Sequence, residues 1–113
     1  MKITVSRNFP STYTGDMLVT CVQQPTDNKK PRIKHSQAQE HILAAVTLGD
    51  FAGKDDQTLL CYPISKENKG TPKRILCVGL GKEKLTTETF RSCGGVIIKT
   101  AKKTKAKELV ILV

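Results

Sequence analysis

Short apolar runs alternate along this chain with two longer stretches in which apolar residues recur at helical spacing. The runs predict strands over residues 3–5, 17–23, 58–62, 74–78 and 108–113. Those at 17–23, 58–62 and 74–78 carry apolar side chains at both alternating positions, which is typical of strands covered on both faces of a sheet. Strands and helices that alternate in this way predict a layered α/β domain.

The first helical stretch begins at Ser36-x-x-Gln39, the spacing of a capping box in which two side chains satisfy free backbone groups. Its apolar stripe consists of Ala38, Ile42, Ala45 and Val46. Gly49 follows, and a glycine in this place commonly ends a helix in the left-handed conformation. We therefore predict a helix that starts at Ser36, ends before Gly49 and packs one face on the sheet.

The second helical stretch begins after Thr86, whose hydroxyl is of the kind that caps helix amino termini. The residues expected to face the core are Phe90, Cys93, Gly94, Ile97 and Ala101. Gly94 and its neighbour Gly95 each cost a helix about 1 kcal/mol relative to alanine. We interpret the two glycines as the place where this helix approaches the sheet closely.

The segment Arg74-Ile-Leu-Cys-Val-Gly-Leu-Gly-Lys82 resembles the start of a nucleotide-binding loop, because an apolar run passes into Gly-x-Gly. A dinucleotide-binding fingerprint needs a third glycine three residues after the second, at the amino end of a helix. Lys84 stands at that position. The pattern therefore favours a turn that ends a strand over a phosphate cradle.

The composition fits one soluble domain or part of one, with 113 residues, of which 38% are hydrophobic and 26% charged. No apolar run approaches the roughly 20 residues that span a bilayer, so no membrane partner is expected. The amino terminus alternates like a strand and lacks the apolar segment of a signal peptide. These features predict a cytoplasmic protein.

Residues that could hold a metal ion are spaced unfavourably. The cysteines at positions 21, 61, 77 and 93 form no Cys-x-x-Cys pair, and His35 and His41 are six residues apart. We interpret the cysteines as reduced, small, buried hydrophobes and the histidines as exposed or satisfied side chains. Asp50, Asp55 and Asp56 lie in a stretch punctuated by glycine, which predicts a turn rather than a carboxylate cluster.

The chain carries a net charge of +9, which makes nucleic acid a candidate partner. The excess falls in two clusters, and the possible phosphate contacts are Lys29, Lys30, Arg32, Lys34, Lys99, Lys102 and Lys103. Lysines near the carboxyl end of a helix also complement the helix dipole. Neither cluster contains an aromatic residue on which a base could stack. The pattern favours a solvated helix end, with non-specific phosphate binding as the second hypothesis.

Several segments occur in the order and near the spacing found in one enzyme family. They are Met1-Lys-Ile-Thr-Val5, Gly49-Asp-Phe-Ala-Gly-Lys54, Gln57-Thr-Leu-Leu60, Val78-Gly-Leu-Gly-Lys82 and Leu85-Thr-x-Glu-x-Phe-Arg91. Together they resemble the amino-terminal domain of the leucyl (cytosol) aminopeptidase family over nearly the whole chain. The resemblance implies a three-layer α/β/α fold with a mixed, mostly parallel sheet, similar to a macrodomain. It also implies that residues 1–113 form a non-catalytic domain, and that the catalytic domain is not in this chain.

For the parent enzyme, the resemblance implies a hexameric hydrolase that removes amino-terminal residues from peptides with two divalent metals, zinc or manganese. No residue here matches the family stretch Asn-Thr-Asp-Ala-Glu-Gly-Arg, so this chain is assigned no catalytic, metal-binding or cofactor-binding residue. The family domain continues past its Val-Ile-Leu strand, and we expect the chain to be truncated there. The sheet face or strand edge left uncovered predicts self-association, as a dimer of this chain alone.

The similarity to macrodomains raises an ADP-ribose-like nucleotide as another ligand. Tyr13-Thr-Gly-Asp16 resembles the macrodomain approach to its second strand. Cys21, Val22 and Gln23, however, stand where macrodomains carry asparagines near the distal ribose. A basic binding module for nucleic acid or nucleotide is therefore the alternative to an aminopeptidase domain.

Overall fold

The computed structural model describes residues 1–7, 13–26, 29–31, 36–63, 71–82 and 84–112. Its strands are β1 (Lys2–Ser6), β2 (Met17–Gln23), β3 (Thr58–Cys61), β4 (Ile75–Gly81) and β5 (Glu108–Leu112), and its helices are α1 (Ser36–Leu48) and α2 (Thr87–Thr104). The strands and helices predicted from the sequence pattern are confirmed, in the predicted order.

The strands form one sheet in the order β1-β5-β2-β4-β3. All neighbouring pairs are parallel except β3 and β4, which are antiparallel. One core cluster joins Ile42 and Val46 of α1 to Leu18 and Val22 of β2. The other joins Cys93, Ile97 and Ala101 of α2 to Met17 and Val19 of the same strand. The helices thus cover opposite faces of a mostly parallel sheet, which confirms the three-layer α/β/α fold.

Helix α1 ends as its sequence predicts. Gly49 has φ of +83°, its amide donates to Val46 O at 3.2 Å, and the amide of Asp50 donates to Ala45 O at 2.9 Å. This pair of bonds is a Schellman motif, which satisfies carbonyls left free at a helix end. Ile42 and Val46 are buried and Ala45 is half-buried, as predicted. The side chains of Ser36, Ala38 and Gln39 lie outside the described part of the chain.

The predicted cap of helix α2 is confirmed, whereas one residue predicted to face the core, Phe90, is exposed. Thr86 is the N-cap, and its hydroxyl accepts from the amide of Thr89 at 3.3 Å, while the Thr89 hydroxyl accepts from the Thr86 amide at 3.3 Å. Half of the surface of Phe90 is exposed, so its prediction as a core residue is wrong. Helical spacing gives the side on which a residue lies, but not how far along the helix the sheet reaches.

The two glycines of α2 are not points of close approach. A Cβ atom built on Gly94 or Gly95 would meet nothing within 4 Å. The interpretation that they bring the helix close to the sheet is therefore wrong. They lower the helix propensity of α2 without a packing gain from the described residues.

The close approach of backbone to a glycine occurs instead at the Gly79–Gly81 pair of β4. The strand runs through Gly79 to Gly81, past its predicted end at residue 78. The amide of Gly79 donates to Gln57 O at 2.7 Å, and that of Gly81 donates to Gly53 O at 2.9 Å. A Cβ atom on Gly79 would overlap the carbonyl oxygen of Lys54. The absence of a side chain at Gly79 therefore admits the backbone of a neighbouring loop, and the strand ends at Gly81, whose φ is +83°.

That loop, residues 50–57, is organised by the side chain of Gln57. Its Oε1 accepts from the amides of Ala52 at 2.9 Å and Lys54 at 3.2 Å, and its Nε2 donates to Asp50 O at 3.0 Å. Asp56 adopts φ of +63° within a turn. The turn predicted for this aspartate-containing stretch is confirmed.

The four cysteines are free thiols, but they are not equally buried. Cys77 and Cys93 are buried, whereas Cys21 and Cys61 are partly exposed. The prediction of four buried cysteines is thus half right. Cys61 ends β3, an edge strand, which explains why an apolar run there is less covered than in the centre of the sheet.

Substituting Gly79 by alanine should lower the free energy of unfolding by about 3 kcal/mol, because the added methyl meets loop backbone that cannot move aside. Gly95→Ala is the matched control and should raise it by about 1 kcal/mol, since open space surrounds that position. Urea unfolding followed by circular dichroism measures both. Equal and small effects would contradict the packing described for the loop.

Candidate functional site

The basic residues singled out from the sequence that the structure describes lie on different elements of the fold. Lys99, Lys102 and Lys103 are exposed on α2, at the spacing that places residues on one side of a helix. Lys29 and Lys30 are exposed in the connection between β2 and α1. Arg32, Lys34 and also His35 lie outside the described residues. One cluster thus lies on α2, and the described part of the other lies in the connection that leads to α1. The two helices cover opposite faces of the sheet.

A groove of about 470 Å³ lies between the carboxyl-terminal half of α2 and the strands β3 and β4. It is lined by Thr58, Leu60, Tyr62, Arg74, Leu76, Thr100, Lys103 and Thr104. Two of these side chains are cationic and none is acidic. The groove therefore favours an anionic group over a cation or a purely apolar ligand.

Arg74 gives the groove its most specific feature. Its Nε atom is buried and has no hydrogen-bond partner among the residues that the structure describes. A buried donor without an acceptor costs free energy. An anion that accepted this N–H bond would remove that cost and would also lie near the ammonium group of Lys103, which lines the same groove.

The groove contains an aromatic residue, Tyr62, of the kind that the two basic clusters of the sequence lack. Cys61 pairs with Ile75 in the antiparallel ladder, so Tyr62 and Arg74 follow as the next opposed positions. Tyr62 is 62% exposed. The sequence pattern predicts Tyr62 at the end of one strand and Arg74 at the start of the next. Only the pairing of β3 with β4 beneath α2 brings both residues to the groove that Lys103 also lines.

The segment Tyr13–Asp16, compared above with macrodomains, holds strand ends together. One carboxylate oxygen of Asp16 accepts from the amides of Lys107 at 2.8 Å and Glu108 at 3.3 Å, and the other accepts from Lys73 Nζ at 3.1 Å. The amide of Lys107, with smaller help from Lys73, lowers the pKa of Asp16. The Asp16 carboxylate, which belongs to the segment that resembles macrodomains, therefore binds groups of this chain itself.

Tyr13 completes this arrangement. Its hydroxyl donates to Glu108 Oε1 at 3.2 Å. Burial, and after it the negative charge of Glu108, raises the pKa of Tyr13 to about 12. The phenol is thus neutral at physiological pH and acts as a hydrogen-bond donor to the start of β5.

The Gly-x-Gly segment likewise has an internal role. The amides of Gly79 and Gly81 already donate to carbonyls of the loop 50–57, as described above. These are the groups that a phosphate would have to engage. The preference for a structural role over a phosphate cradle is supported, because the glycine pair ends β4 at Gly81 and also packs against the loop 50–57.

Comparison with known proteins identifies the domain. A family model described as "Cytosol aminopeptidase family, N-terminal domain" matches residues 19–113. The chain belongs to the cytosol aminopeptidase family. A probable cytosol aminopeptidase of Desulforapulum autotrophicum is 33% identical over an alignment 105 residues long, which covers 86% of this chain and 20% of that protein. One from Nitrosomonas europaea is 31% identical over 84 residues, 74% of this chain and 16% of that protein.

The fold of this cytosol aminopeptidase domain also has a solved counterpart. A tomato leucine aminopeptidase mutant superimposes with a TM-score of 0.69 at 22% identity, over 98% of this chain and 22% of the tomato chain. At that identity the likeness concerns the fold. The chain therefore spans about a fifth of the length of the relatives that it matches.

A dimetal centre does not fit the described part of this cytosol aminopeptidase domain. Within the described ranges, no three or more His, Cys, Asp or Glu side chains come together where they could hold a metal ion. His41 lies half-buried in α1.

None of the helices that the structure describes is long and apolar enough to cross a membrane.

Proposed function

We propose that this chain is the non-catalytic amino-terminal domain of a cytosolic aminopeptidase that removes amino-terminal residues from peptides. The observation that carries the proposal is the match of residues 19–113 to the amino-terminal domain of that family. The active site then belongs to the rest of the parent polypeptide, where two divalent metals, zinc or manganese, would activate a water molecule for attack on the peptide bond. The role left to this domain is architecture, including contacts in a hexamer.

The surface best suited to such contacts lies on the α2 face of the sheet. Ile3 and Val5 of β1 pair in register with Leu109 and Ile111 of β5, which places them on the same face as α2. Helix α2 contacts β2 and β4. Ile3 remains 46% exposed and Val5 61% exposed. Exposed aliphatic residues on an edge strand favour burial against another protein surface.

The purified 113-residue chain should release no product from leucine p-nitroanilide, with or without added Zn²⁺ or Mn²⁺, because it lacks the proposed metal centre. Absorbance of p-nitroaniline measures the release. The reading frame beyond codon 113 should encode the stretch Asn-Thr-Asp-Ala-Glu-Gly-Arg. Metal-dependent hydrolysis by the chain alone, or a frame that closes without such a stretch, would overturn the proposal.

In isolation, we expect the chain to dimerise through the exposed aliphatic residues of β1, Ile3 and Val5. The β1 edge of one copy would lie against the same edge of another, since an edge strand is self-complementary about a two-fold axis. Multi-angle light scattering should give a dimer that the double variant Ile3→Ser, Val5→Ser converts to a monomer. Leu43→Ser with Leu48→Ser removes two exposed leucines of α1 and should leave the dimer intact. A monomeric wild-type chain at high concentration would refute the expectation.

Non-specific nucleic-acid binding is a second candidate function, and the Arg74 groove is the observation that favours it. The groove offers an unpartnered guanidinium N–H and an ammonium group for phosphate. The neighbouring ring of Tyr62 is a surface on which a base can stack. These are the two elements that single-stranded nucleic-acid sites combine.

Fluorescence anisotropy with a labelled single-stranded oligonucleotide tests this candidate. Arg74→Gln and Lys103→Gln should each weaken binding by about fivefold at low salt, since each removes a phosphate contact in the groove. Lys82→Gln removes the same charge from an exposed position outside the groove and should change binding by less than about twofold. Equal losses in all three variants would show that net charge alone attracts the oligonucleotide. Competition by stoichiometric ADP-ribose would favour a nucleotide ligand instead.

A further inference from the structure

Two cysteines far apart in sequence lie in contact inside the α2 face of the sheet. The sulfur atoms of Cys21, on β2, and Cys93, on α2, are 3.4 Å apart. The residues are separated by 72 positions. Both belong to the core cluster beneath α2. The contact therefore joins a central strand to the helix that covers it.

The geometry is close to that of a disulfide. An S–S bond is about 2.05 Å long, so the two sulfur atoms need approach each other by only about 1.3 Å. Cys21 is partly exposed, which gives a small oxidant a path to the pair, while Cys93 is buried beneath the helix.

The environment of the pair favours reaction at Cys93. The two thiols form a hydrogen bond in which either sulfur can be the donor, and this contact with Cys21 lowers the pKa of Cys93. The thiolate is the reactive form of a cysteine. Burial, by contrast, raises the pKa of Cys77 to about 12 and keeps it in the unreactive thiol form.

We propose that Cys21 and Cys93 are an oxidation site, which closes to a reversible disulfide between β2 and α2 when the protein meets a peroxide. The Cys93 sulfur attacks one peroxide oxygen, so that an S–O bond forms, the O–O bond breaks and the leaving hydroxide takes up a proton to become water. The Cys21 sulfur then attacks the sulfenic sulfur of Cys93. The S–S bond forms, the S–O bond breaks, and the hydroxide leaves with the Cys21 proton as a second water.

The step is balanced. The two thiols lose two electrons and two protons, and the peroxide is reduced to two water molecules. A dithiol reductant reverses it by thiol–disulfide exchange. The link would tether α2 to the centre of the sheet and close a loop of residues 21–93, which contains α1, β3 and β4 and five of the eight residues that line the groove at Arg74. Because it depends on this contact alone, the proposal does not rest on the proposed function.

The other two cysteines provide a matched control within the same chain. Cys77 and Cys61 lie on neighbouring strands of the opposite face, in the cluster beneath α1. They have the same chemistry but a different environment. A disulfide that formed by random oxidation would involve these thiols as well.

The experiment treats the folded chain with a small excess of hydrogen peroxide, unfolds it in iodoacetamide and counts alkylated cysteines by intact mass. We expect two alkylated thiols after treatment and four after subsequent reduction, with the cross-link mapped by proteolysis to residues 21 and 93. The oxidised chain should melt about 10 °C higher than the reduced one, because the bond closes a long loop.

Cys21→Ala and Cys93→Ala should each abolish the cross-link, whereas Cys61→Ala should leave it unchanged. Circular dichroism before oxidation checks that each variant is folded, and Cys21→Ser with Cys93→Ser serves as a second pair if the alanine variants unfold. Four alkylated thiols after treatment, a cross-link that maps to positions 61 and 77, or a bond between two chains would each overturn the proposal.

Discussion

The structure depends on one strand being buried from both sides. β2 lies in the middle of the sheet, with β5 and β4 as hydrogen-bonded neighbours. Its alternating side chains divide between the two core clusters, Leu18 and Val22 beneath α1 and Met17 and Val19 beneath α2. Apolar area removed from water is the main stabilising term in folding. A strand that supplies both clusters therefore fixes the register of its neighbours and the positions of both helices.

At both ends of this sheet, described residues form backbone and side-chain contacts that occupy polar groups. At the carboxyl end of β4, the loop 50–57 occupies the space that Gly79 provides and uses the amides of Gly79 and Gly81. At the opposite end, Asp16 binds the first amides of β5 and the side chain of Lys73. Two segments that resemble ligand-binding motifs in the sequence are thus used for the stability of the domain.

This use of polar groups supports the proposal that the domain is non-catalytic. The chain belongs to the amino-terminal domain of the cytosol aminopeptidase family and spans about a fifth of its relatives. Among the described residues, the surface features that these contacts leave available include exposed aliphatic residues on β1, a cationic groove at Arg74 and the partly exposed thiol of Cys21 beside buried Cys93. Each is suited to contact, binding or oxidation, and none requires the metal centre proposed for the rest of the parent protein.

The sequence by itself determined what depends on neighbouring residues. Apolar runs predicted the strands, and Thr86 and Gly49 predicted helix ends, because capping bonds form within one turn. It did not determine how far along each face a neighbouring element would reach or how closely it would approach, and so Phe90 and Gly94 were misread. Only the tertiary structure brought Arg74 to Lys103 and Cys21 to Cys93, because these contacts join residues that are far apart along the chain. Local periodicity records the faces of a strand or helix, whereas the partner of each face is chosen by the packing of the whole domain.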